Sequence, residues 1–230
     1  MVIEMDIFIS GKEVELDLNI KEKVPYLIPR TGTWNKKQCI EVKDNDETIA
    51  RIDFDIILLN EKRGAKDALL LFEGIKEVDP MGELEYIPWE VPLSYMNGCQ
   101  VIPKIKEHWY EEYRPLKKAK HVFIKGITVL PHYRRNGIGE MLIKEVALLN
   151  KDAESIWLKV QPVTQSEKDV FDKYQEKLFS TKNPDMDDLI SFFRPCGFER
   201  LEDENIEGIY MLSTINTVIN CLVNNTIYSY

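Results

Sequence analysis

The first part of the chain alternates between apolar and polar positions, which is the period of a strand with one buried face. This pattern predicts two β-hairpins, formed by Met5–Ile9 with Val14–Leu18 and by Gln38–Val42 with Thr48–Leu58. Asp44-Asn45-Asp46 is predicted to form the turn of the second hairpin, because Asn and Asp tolerate turn conformations. The N-terminal part is therefore expected to consist of antiparallel strands.

The second half of the chain carries strand and helix patterns in turn. The apolar, β-branched run His121–Leu130 predicts a strand that ends before Pro131. Apolar residues at helical spacing then predict a helix over residues 138–149. A further strand is predicted at Ser155–Val160, where apolar residues alternate again. The succession indicates a strand, a helix and a second strand joined by short connections.

The junction between the first of these strands and the helix holds the most informative residues of the chain, Arg134-Arg135-Asn136-Gly137-Ile138-Gly139. The two glycines let the backbone approach a ligand closely, and the amides in the first turn of a helix are unpaired donors. With the helix dipole behind them, such donors bind phosphate groups. The sequence lacks the three-glycine dinucleotide fingerprint and the Gly-Lys-Ser/Thr phosphate loop. A phosphate site of another kind is therefore predicted.

The pattern Val-x-Pro-x-x-Arg-x-x-Gly-x-Gly, from Val129 to Gly139, resembles the pyrophosphate loop of the GNAT family, a large group of acetyl-CoA-dependent N-acetyltransferases. Leu189–Phe198 resembles the last core helix of that family with its closing Gly-Phe, and Gly208–Leu212 resembles the strand that follows it. The resemblance covers residues 120–213. It implies a mixed α+β fold with a GNAT-like twisted, mostly antiparallel central sheet flanked by helices, with insertions and an N-terminal β-hairpin extension.

The first half of the chain departs from the family's usual pattern, which has two helices before the second strand. We divide the chain into an N-terminal hairpin and loop extension (1–35), an acetyltransferase-like domain (36–213) with insertions near 60–120 and 164–186, and a C-terminal tail (214–230). Within the insertions, we expect a short strand at Ala68–Phe72 and helices at Ile105–Tyr113 and Ser166–Ser180. The tail is apolar and β-branched, and its packing on the sheet or on a partner chain is left open.

The resemblance implies an enzyme that transfers an acetyl group from acetyl-CoA directly to a primary amine of a small molecule or a protein. In that family the loop holds the pyrophosphate, and the preceding strand pairs with the pantetheine arm. The cofactor-binding residues implied for this chain are Ile127, Val129, Arg134, Arg135, Asn136, Gly137, Ile138 and Gly139. The amide of Val129 would polarise the thioester carbonyl, and one such donor contributes ~3 kcal/mol. The resemblance implies no metal.

The sequence assigns no catalytic residue: Tyr133 and His132, just before the loop, are candidates for proton transfer, and Cys196 is expected to be a small apolar core residue. Phe193 stands where family members often have a Tyr near the leaving thiolate, and the strand before the loop offers Lys125 and Gly126 where many members have a Glu. Asp53 and Asp55 share one face of a strand, where one could take the amine's proton through a water, or both could form the solvent face of an edge strand. A catalytically impaired acyl-CoA-binding or protein-interaction module, and a homodimer formed through the insertions and the tail, remain alternatives.

Composition and charge indicate which partners, metal sites and location to expect for this protein. The 230 residues carry a formal net charge of −9, which disfavours a nucleic-acid partner because phosphate backbones bind clustered Lys and Arg. The four cysteines and three histidines show no zinc-ligand spacing. Neither a secretory signal nor an apolar run of membrane-spanning length is recognisable. We therefore expect a cytoplasmic protein that acts without nucleic acid or membrane.

Overall fold

The structure, a computed structural model, describes residues 2–9, 12–22, 25–28, 33–45, 47–59, 64–65, 90–97, 100–101, 120–161 and 184–227. These residues form a large sheet, a separate two-stranded ribbon and several helices. Residues 120–161 and 184–227 contain most of the segments that were predicted to have a function.

The described strands are β1 (Val2–Ile9), β2 (Lys12–Glu22), β3 (Tyr26–Ile28), β4 (Thr33–Asp44), β5 (Glu47–Leu58), β6 (Met96–Asn97), β7 (Gln100–Val101), β8 (Lys120–Val129), β9 (Ser155–Val160), β10 (Glu199–Arg200) and β11 (Ile209–Thr214). Nine of them form one sheet in the order β1-β2-β4-β5-β8-β9-β11-β10, with β3 also paired to β4. Within the described ranges, the neighbours in this sheet are antiparallel, apart from the parallel pair β8 and β9. The parallel pair lies in the interior of the sheet.

The described helices are α1 (Glu90–Ser94), a 3-10 helix (Pro131–Tyr133), α2 (Ile138–Leu149), α3 (Met186–Phe193) and α4 (Ile215–Ile227). α2 joins β8 to β9, because two parallel strands require a crossover connection. α3 begins with a capping box in which Asp185 and Asp188 each accept a hydrogen bond from the other's backbone amide. Among the described helices, none is long and apolar enough to cross a lipid bilayer.

Each face of the sheet has its own hydrophobic cluster. On the face covered by α2, α3 and α4, here called the helix face, the buried side chains include Ile52, Phe54, Val122, Leu142, Val146, Leu158, Phe193 and Val218. On the opposite face, here called the far face, a smaller cluster includes Ile57, Leu93, Phe123, Trp157, Tyr210 and Leu212. Because successive strand residues point to opposite faces, β8 contributes to both clusters. β8 therefore lies between the two described clusters.

The predicted fold class is confirmed, since the sheet is mostly antiparallel and helices pack on it. Both predicted hairpins form, as β1 with β2 and as β4 with β5, and Asn45 has a φ of 47° in the second turn. The helix over 138–149 and the strand over 155–160 have the predicted bounds. The division into domains stays a prediction, and the segments expected at 68–72, 105–113 and 166–180 lie outside the described residues.

The interpretation of Asp53 and Asp55 as the solvent face of an edge strand is wrong. Their strand, β5, lies between β4 and β8, and the side chain of Asp55 is buried. Polar residues occur in this interior strand because the sheet places partners beside them, such as Arg51, which binds Asp53. A run of alternating charges therefore marked a paired network rather than an exposed edge.

The C-terminal tail packs on its own chain. Residues 215–227 form α4, although their β-branched residues have weak intrinsic helix propensity. Val218 and Leu222 are buried in the helix-face cluster, and α4 lies against α2 and β11. Burial of one apolar stripe stabilises this helix, which propensity alone would not do.

Candidate functional site

The predicted phosphate loop lies where β8 passes into α2. At the end of β8, the amide of Leu130 donates to the carbonyl of Ile49 on β5 at 2.8 Å. Pro131 then starts the 3-10 helix, where its fixed φ is suitable and its lack of an amide hydrogen costs nothing. Residues 134–137 complete the turn, and the buried Ile138 begins α2. The loop is thus fixed between an interior strand and a helix anchored in the core.

The N-terminus of α2 presents unpaired backbone donors. Gly137 is its N-cap residue, with φ 76° and ψ −1°, and no side chain caps the helix. The amide of Met141 makes the first intrahelical bond, to the carbonyl of Gly137 at 2.9 Å. The amides of Ile138, Gly139 and Glu140 have no acceptor within the described part of the chain, as is usual in a first turn. Unpaired donors of this kind, with the helix dipole behind them, can bind an anion.

Side chains of the loop brace its backbone. Nε of Arg134 donates to the carbonyl of Val129 at 3.0 Å, and Nδ2 of Asn136 donates to the carbonyls of Tyr133 and Arg134 at 3.2 and 3.1 Å. These bonds surround Arg135, whose φ of 62° is uncommon for a residue other than glycine. Burial lowers the pKa of the Arg134 guanidinium from its ordinary value, which lies far above neutral pH. Arg134 therefore adds a cation to the loop that supplies the amide donors.

The two glycines of the loop are suited to their positions for different structural reasons. Gly137 has a positive φ, and a Cβ atom there would meet no described atom within 4 Å. A Cβ atom on Gly139 would lie 2.9 Å from Cζ of Phe192 in α3. Gly137 thus leaves open space beside the donors, whereas Gly139 lets the ring of Phe192 pack on the first turn of α2. The sequence interpretation assigned both glycines to ligand approach and missed this packing, because Phe192 is remote along the chain.

β8 and β9 separate at the end of the sheet that carries the loop. Their parallel pairing ends with Ile124 opposite Leu158, although β8 continues to Val129. Between β5 and β8 the register shifts at this point, which makes Lys125 an extra, bulged residue. β8 then stays paired with β5 and leaves β9, so that Ile127–Val129 have no described strand partner on the β9 side. We call this gap the strand opening.

The structure brings the predicted cofactor-binding residues together at one end of the sheet. Ile127 and Val129 form one edge of the strand opening, and residues 134–139 follow at the N-terminus of α2. An extended ligand with a phosphate group can therefore place the phosphate on the amides of α2 and its arm along the free edge of β8. Backbone groups at such an edge pair with a ligand as they would with another strand.

Neither Phe193 nor Cys196 can supply a proton to a leaving group. Phe193 is 8% exposed and packs edge-to-face against Phe192 and Phe198, with ring centroids 5.0 and 5.9 Å apart. Cys196 is fully buried, and burial raises the pKa of its thiol to about 12. Both side chains therefore belong to the core under α3.

A charged network lies on the far face of β5, next to β8. Nη2 and Nε of Arg51 bind Oδ1 and Oδ2 of Asp53 at 2.6 and 2.8 Å, and Nη1 reaches Oε1 of Glu41 at 3.3 Å. The hydrogen bond to Asp53 raises the pKa of Arg51. Asp53 stands opposite Gly126 of β8, and its side chain is 35% exposed, whereas Asp55 is buried. Of the two predicted carboxylates, Asp53 is thus the accessible one.

Sequence reasoning did not predict the contact of Tyr133 with Asp44. The hydroxyl of Tyr133 donates to Oδ2 of Asp44 at 2.8 Å, and this bond raises the pKa of Tyr133 to about 12. Tyr133 is therefore neutral at physiological pH. The two residues meet because β5 pairs with both β4 and β8, which no local pattern reveals.

Groups of three or more potential metal-ligating side chains are not found in the described ranges. The geometry defines a class of protein first: a mixed α+β fold with a loop of unpaired amide donors at a helix N-terminus, beside an opening between two parallel strands. Residues 105–175 match the model of the Acetyltransferase (GNAT) family. The resemblance inferred from Val129 to Gly139 is confirmed by this match. No curated protein matches the chain.

Three solved acetyltransferase structures are similar to this chain at low identity. NAA60 of Arabidopsis thaliana in complex with a bisubstrate analogue is 12% identical over 77% of this chain and 74% of that chain, with a TM-score of 0.34. An agmatine N-acetyltransferase mutant in its apo form is 8% identical over 76% and 75%, with a TM-score of 0.35. A Bacillus subtilis acetyltransferase in complex with CoA is 13% identical over 86% and 98%, with a TM-score of 0.27. Likeness at this level carries no argument about substrate.

Proposed function

We propose that this protein transfers an acetyl group from acetyl-CoA to a primary amine of a small molecule or a protein. The observation that carries the proposal is the position of the unpaired amides at the N-terminus of α2, directly beside the strand opening. Acetyl-CoA has the matching shape, because its pyrophosphate is joined to a long, flexible arm that ends in the thioester. Phosphate on a helix N-terminus is a recurring arrangement.

Residues of the loop and of β8 have separate tasks in this proposal. The amides of residues 135–139 and the cation of Arg134 hold the pyrophosphate, while the edge Ile127–Val129 pairs with the arm. The amide of Val129 donates to the thioester oxygen as negative charge develops there, and one such donor contributes ~3 kcal/mol to the barrier reduction. Alignment of the thioester in the strand opening supplies much of the remaining rate increase.

The reaction needs an uncharged amine that attacks the thioester carbonyl, after which the CoA thiolate leaves and the new amide loses a proton. Asp53 is the candidate for taking that proton through a water, since its side chain is partly exposed on the far face beside Gly126. Its two hydrogen bonds to Arg51 hold the carboxylate in a fixed orientation. Because Phe193 has no proton to donate, the CoA thiolate leaves without protonation from α3. A thiolate is stable enough to leave in this way.

A thermal-shift titration with acetyl-CoA tests the site. At about one hundred times the dissociation constant, binding adds ~2.7 kcal/mol, which corresponds to a rise in Tm of roughly 5–10 °C for a chain of this size. Gly137→Glu places a carboxylate at the donors and should abolish the rise. Gly137→Ala is the matched control, since it imposes the same positive-φ strain without the charge and should retain the rise.

The possible results of this titration lead to different conclusions about the loop. A shift in the wild type and in Gly137→Ala that vanishes in Gly137→Glu supports an anion site at this helix N-terminus and justifies a screen of amines for thiol release. A folded wild type that shows no shift with acetyl-CoA contradicts the proposal and leaves the loop a structural turn.

A second candidate function is acyl-CoA binding without turnover. Phe193 favours it, because the phenyl ring packs in the core at the position where a Tyr hydroxyl is common in the family. Binding of acetyl-CoA with no thiol release across a broad panel of amines would support this module over the enzyme. Release of thiol that depends on any one amine would exclude it.

A further inference from the structure

Tyr133 makes a long-range contact that the proposed chemistry does not use. Its hydroxyl donates to Oδ2 of Asp44, the last residue of β4, at 2.8 Å. The other described hydrogen bonds of residues 131–136 stay within the segment from Val129 to Asn136. The bond to Asp44 therefore ties the loop to a different element, the turn between β4 and β5.

Asp44 is a fixed acceptor. Its Oδ1 accepts a hydrogen bond from Nδ2 of Asn45 at 2.7 Å, and Asn45 holds the tight turn with its φ of 47°. The bond from the amide of Leu130 to the carbonyl of Ile49, at 2.8 Å, keeps the two segments side by side. The carboxylate of Asp44 is thus held at a constant position relative to the end of β8.

The 3-10 helix is not closely packed against this turn along its whole length. A cavity of about 220 Å³ lies between them, lined by Glu47, Leu130, Pro131, His132 and Tyr133. None of the three residues of the 3-10 helix is buried. Tyr133 packs against the helix-face cluster but stays only partly buried beside this cavity, so the directional bond to Asp44 helps to set its position.

We propose that Tyr133 is a positioning residue, which through Asp44 holds the donors at the N-terminus of α2 in the arrangement that binds an anion. Tyr133 directly precedes Arg134–Gly137, and this short segment contains two positive φ angles, 62° at Arg135 and 76° at Gly137. A strained segment keeps its conformation only when the structure holds both of its ends. The core-anchored α2 holds one end, and the end of β8 together with the bond from Tyr133 to Asp44 holds the other. The inference rests on the proposed function in naming acetyl-CoA as the ligand.

Tyr133→Phe removes the hydroxyl and keeps the ring. We expect the affinity for acetyl-CoA, measured by calorimetry, to fall about tenfold, which corresponds to ~1.4 kcal/mol. In the ligand-free protein, hydrogen exchange at the amides of Leu130 and Arg134 should become faster, because both are hydrogen-bonded within the segment that the tether holds. The matched control is Tyr95→Phe, since the hydroxyl of Tyr95 bonds to Asp203 and its ring packs on the far-face cluster, whereas Tyr133 packs on the helix-face cluster. It should change neither the affinity nor these exchange rates.

Two substitutions of the acceptor separate its hydrogen bond from its charge. Asp44→Asn and Asp44→Ala both remove a negative charge, but only Asn keeps an oxygen that can accept from Tyr133. Asp44→Asn should therefore bind acetyl-CoA like the wild type, and Asp44→Ala should bind it as weakly as Tyr133→Phe. The double variant of Tyr133→Phe with Asp44→Ala should be no weaker than either single one.

The results also distinguish this inference from the proposed function. Wild-type affinity together with wild-type exchange rates in Tyr133→Phe would overturn the positioning role and leave the function intact. If the wild type itself fails to bind acetyl-CoA, the proposed function fails, and the exchange rates of the ligand-free proteins still decide whether Tyr133 holds the loop.

Discussion

The two ends of the parallel pair β8–β9 differ in what holds them. At the end where both strands begin, here called the closed end, buried side chains bridge the strands. Nδ1 of His121 and Nε1 of Trp157 both lie 2.7 Å from Oγ of Ser155, and all three side chains are fully buried. The amide of Glu154 also donates to the carbonyl of Lys120 at 2.8 Å. The strands are therefore fixed in register before they reach the middle of the sheet.

At the other end the same two strands part, and no polar bridge joins them in the described part of the chain. The bulge at Lys125 turns β8 away from β9, and Gly126 then contributes no side chain to the gap. A buried, satisfied network specifies one arrangement of its elements, so the closed end can fix a pair whose other end is open. The proposed function thus assigns stability to one end of this pair of strands and ligand binding to the other.

The largest effect on stability is expected when the hydrogen bonds of the closed end are removed. Ser155→Ala leaves the buried Nε1 of Trp157 and Nδ1 of His121 without the hydroxyl they share, which should lower the free energy of unfolding by ~2–3 kcal/mol. Ser94→Ala is the matched control, because its exposed hydroxyl bonds only to the carbonyl of Val91 in the described part, and its effect should stay within about 0.5 kcal/mol. Urea unfolding measures both. Equal stability of the two variants would mean that the closed end is not held by this network.

A smaller effect is expected where α3 supports the open end. Gly139→Ala puts a Cβ atom 2.9 Å from Cζ and 3.3 Å from Cε2 of Phe192. Overpacking of this kind destabilises a protein by ~1–3 kcal/mol, whereas the higher helix propensity of Ala stabilises it by ~1 kcal/mol. We therefore expect the unfolding free energy to fall by about 1 kcal/mol. In a Phe192→Leu background the same substitution should be neutral or stabilising. If the effects of the two substitutions are additive, contact with the ring of Phe192 is not the reason why residue 139 is a glycine.

The closed and open ends were not equally predictable from the sequence. The loop, its helix and the strand Ser155–Val160 follow from short-range patterns, and their bounds agree with the structure. The strand opening depends on how β8 pairs with β5, and although a glycine inside a strand, such as Gly126, often marks a bulge, it does not show which neighbouring strand separates. The bond of Tyr133 to Asp44 and the packing of Phe192 on Gly139 join residues remote along the chain. Such contacts are decided by sheet order and helix packing, which a single sequence does not specify.

The smallest effect is expected at Gly126, and it sharpens the comparison most directly. A Cβ atom there would meet no described atom within 4 Å, and the residue lacks the positive φ that would demand glycine. Gly126→Ala should therefore leave the unfolding free energy unchanged or raise it by less than about 1 kcal/mol, since Ala restricts the unfolded chain. If the space over Gly126 admits the reacting groups, thiol release should fall in Gly126→Val while stability holds. A loss of stability as large as that of Ser155→Ala would instead mean that the open end, like the closed one, is maintained by packing.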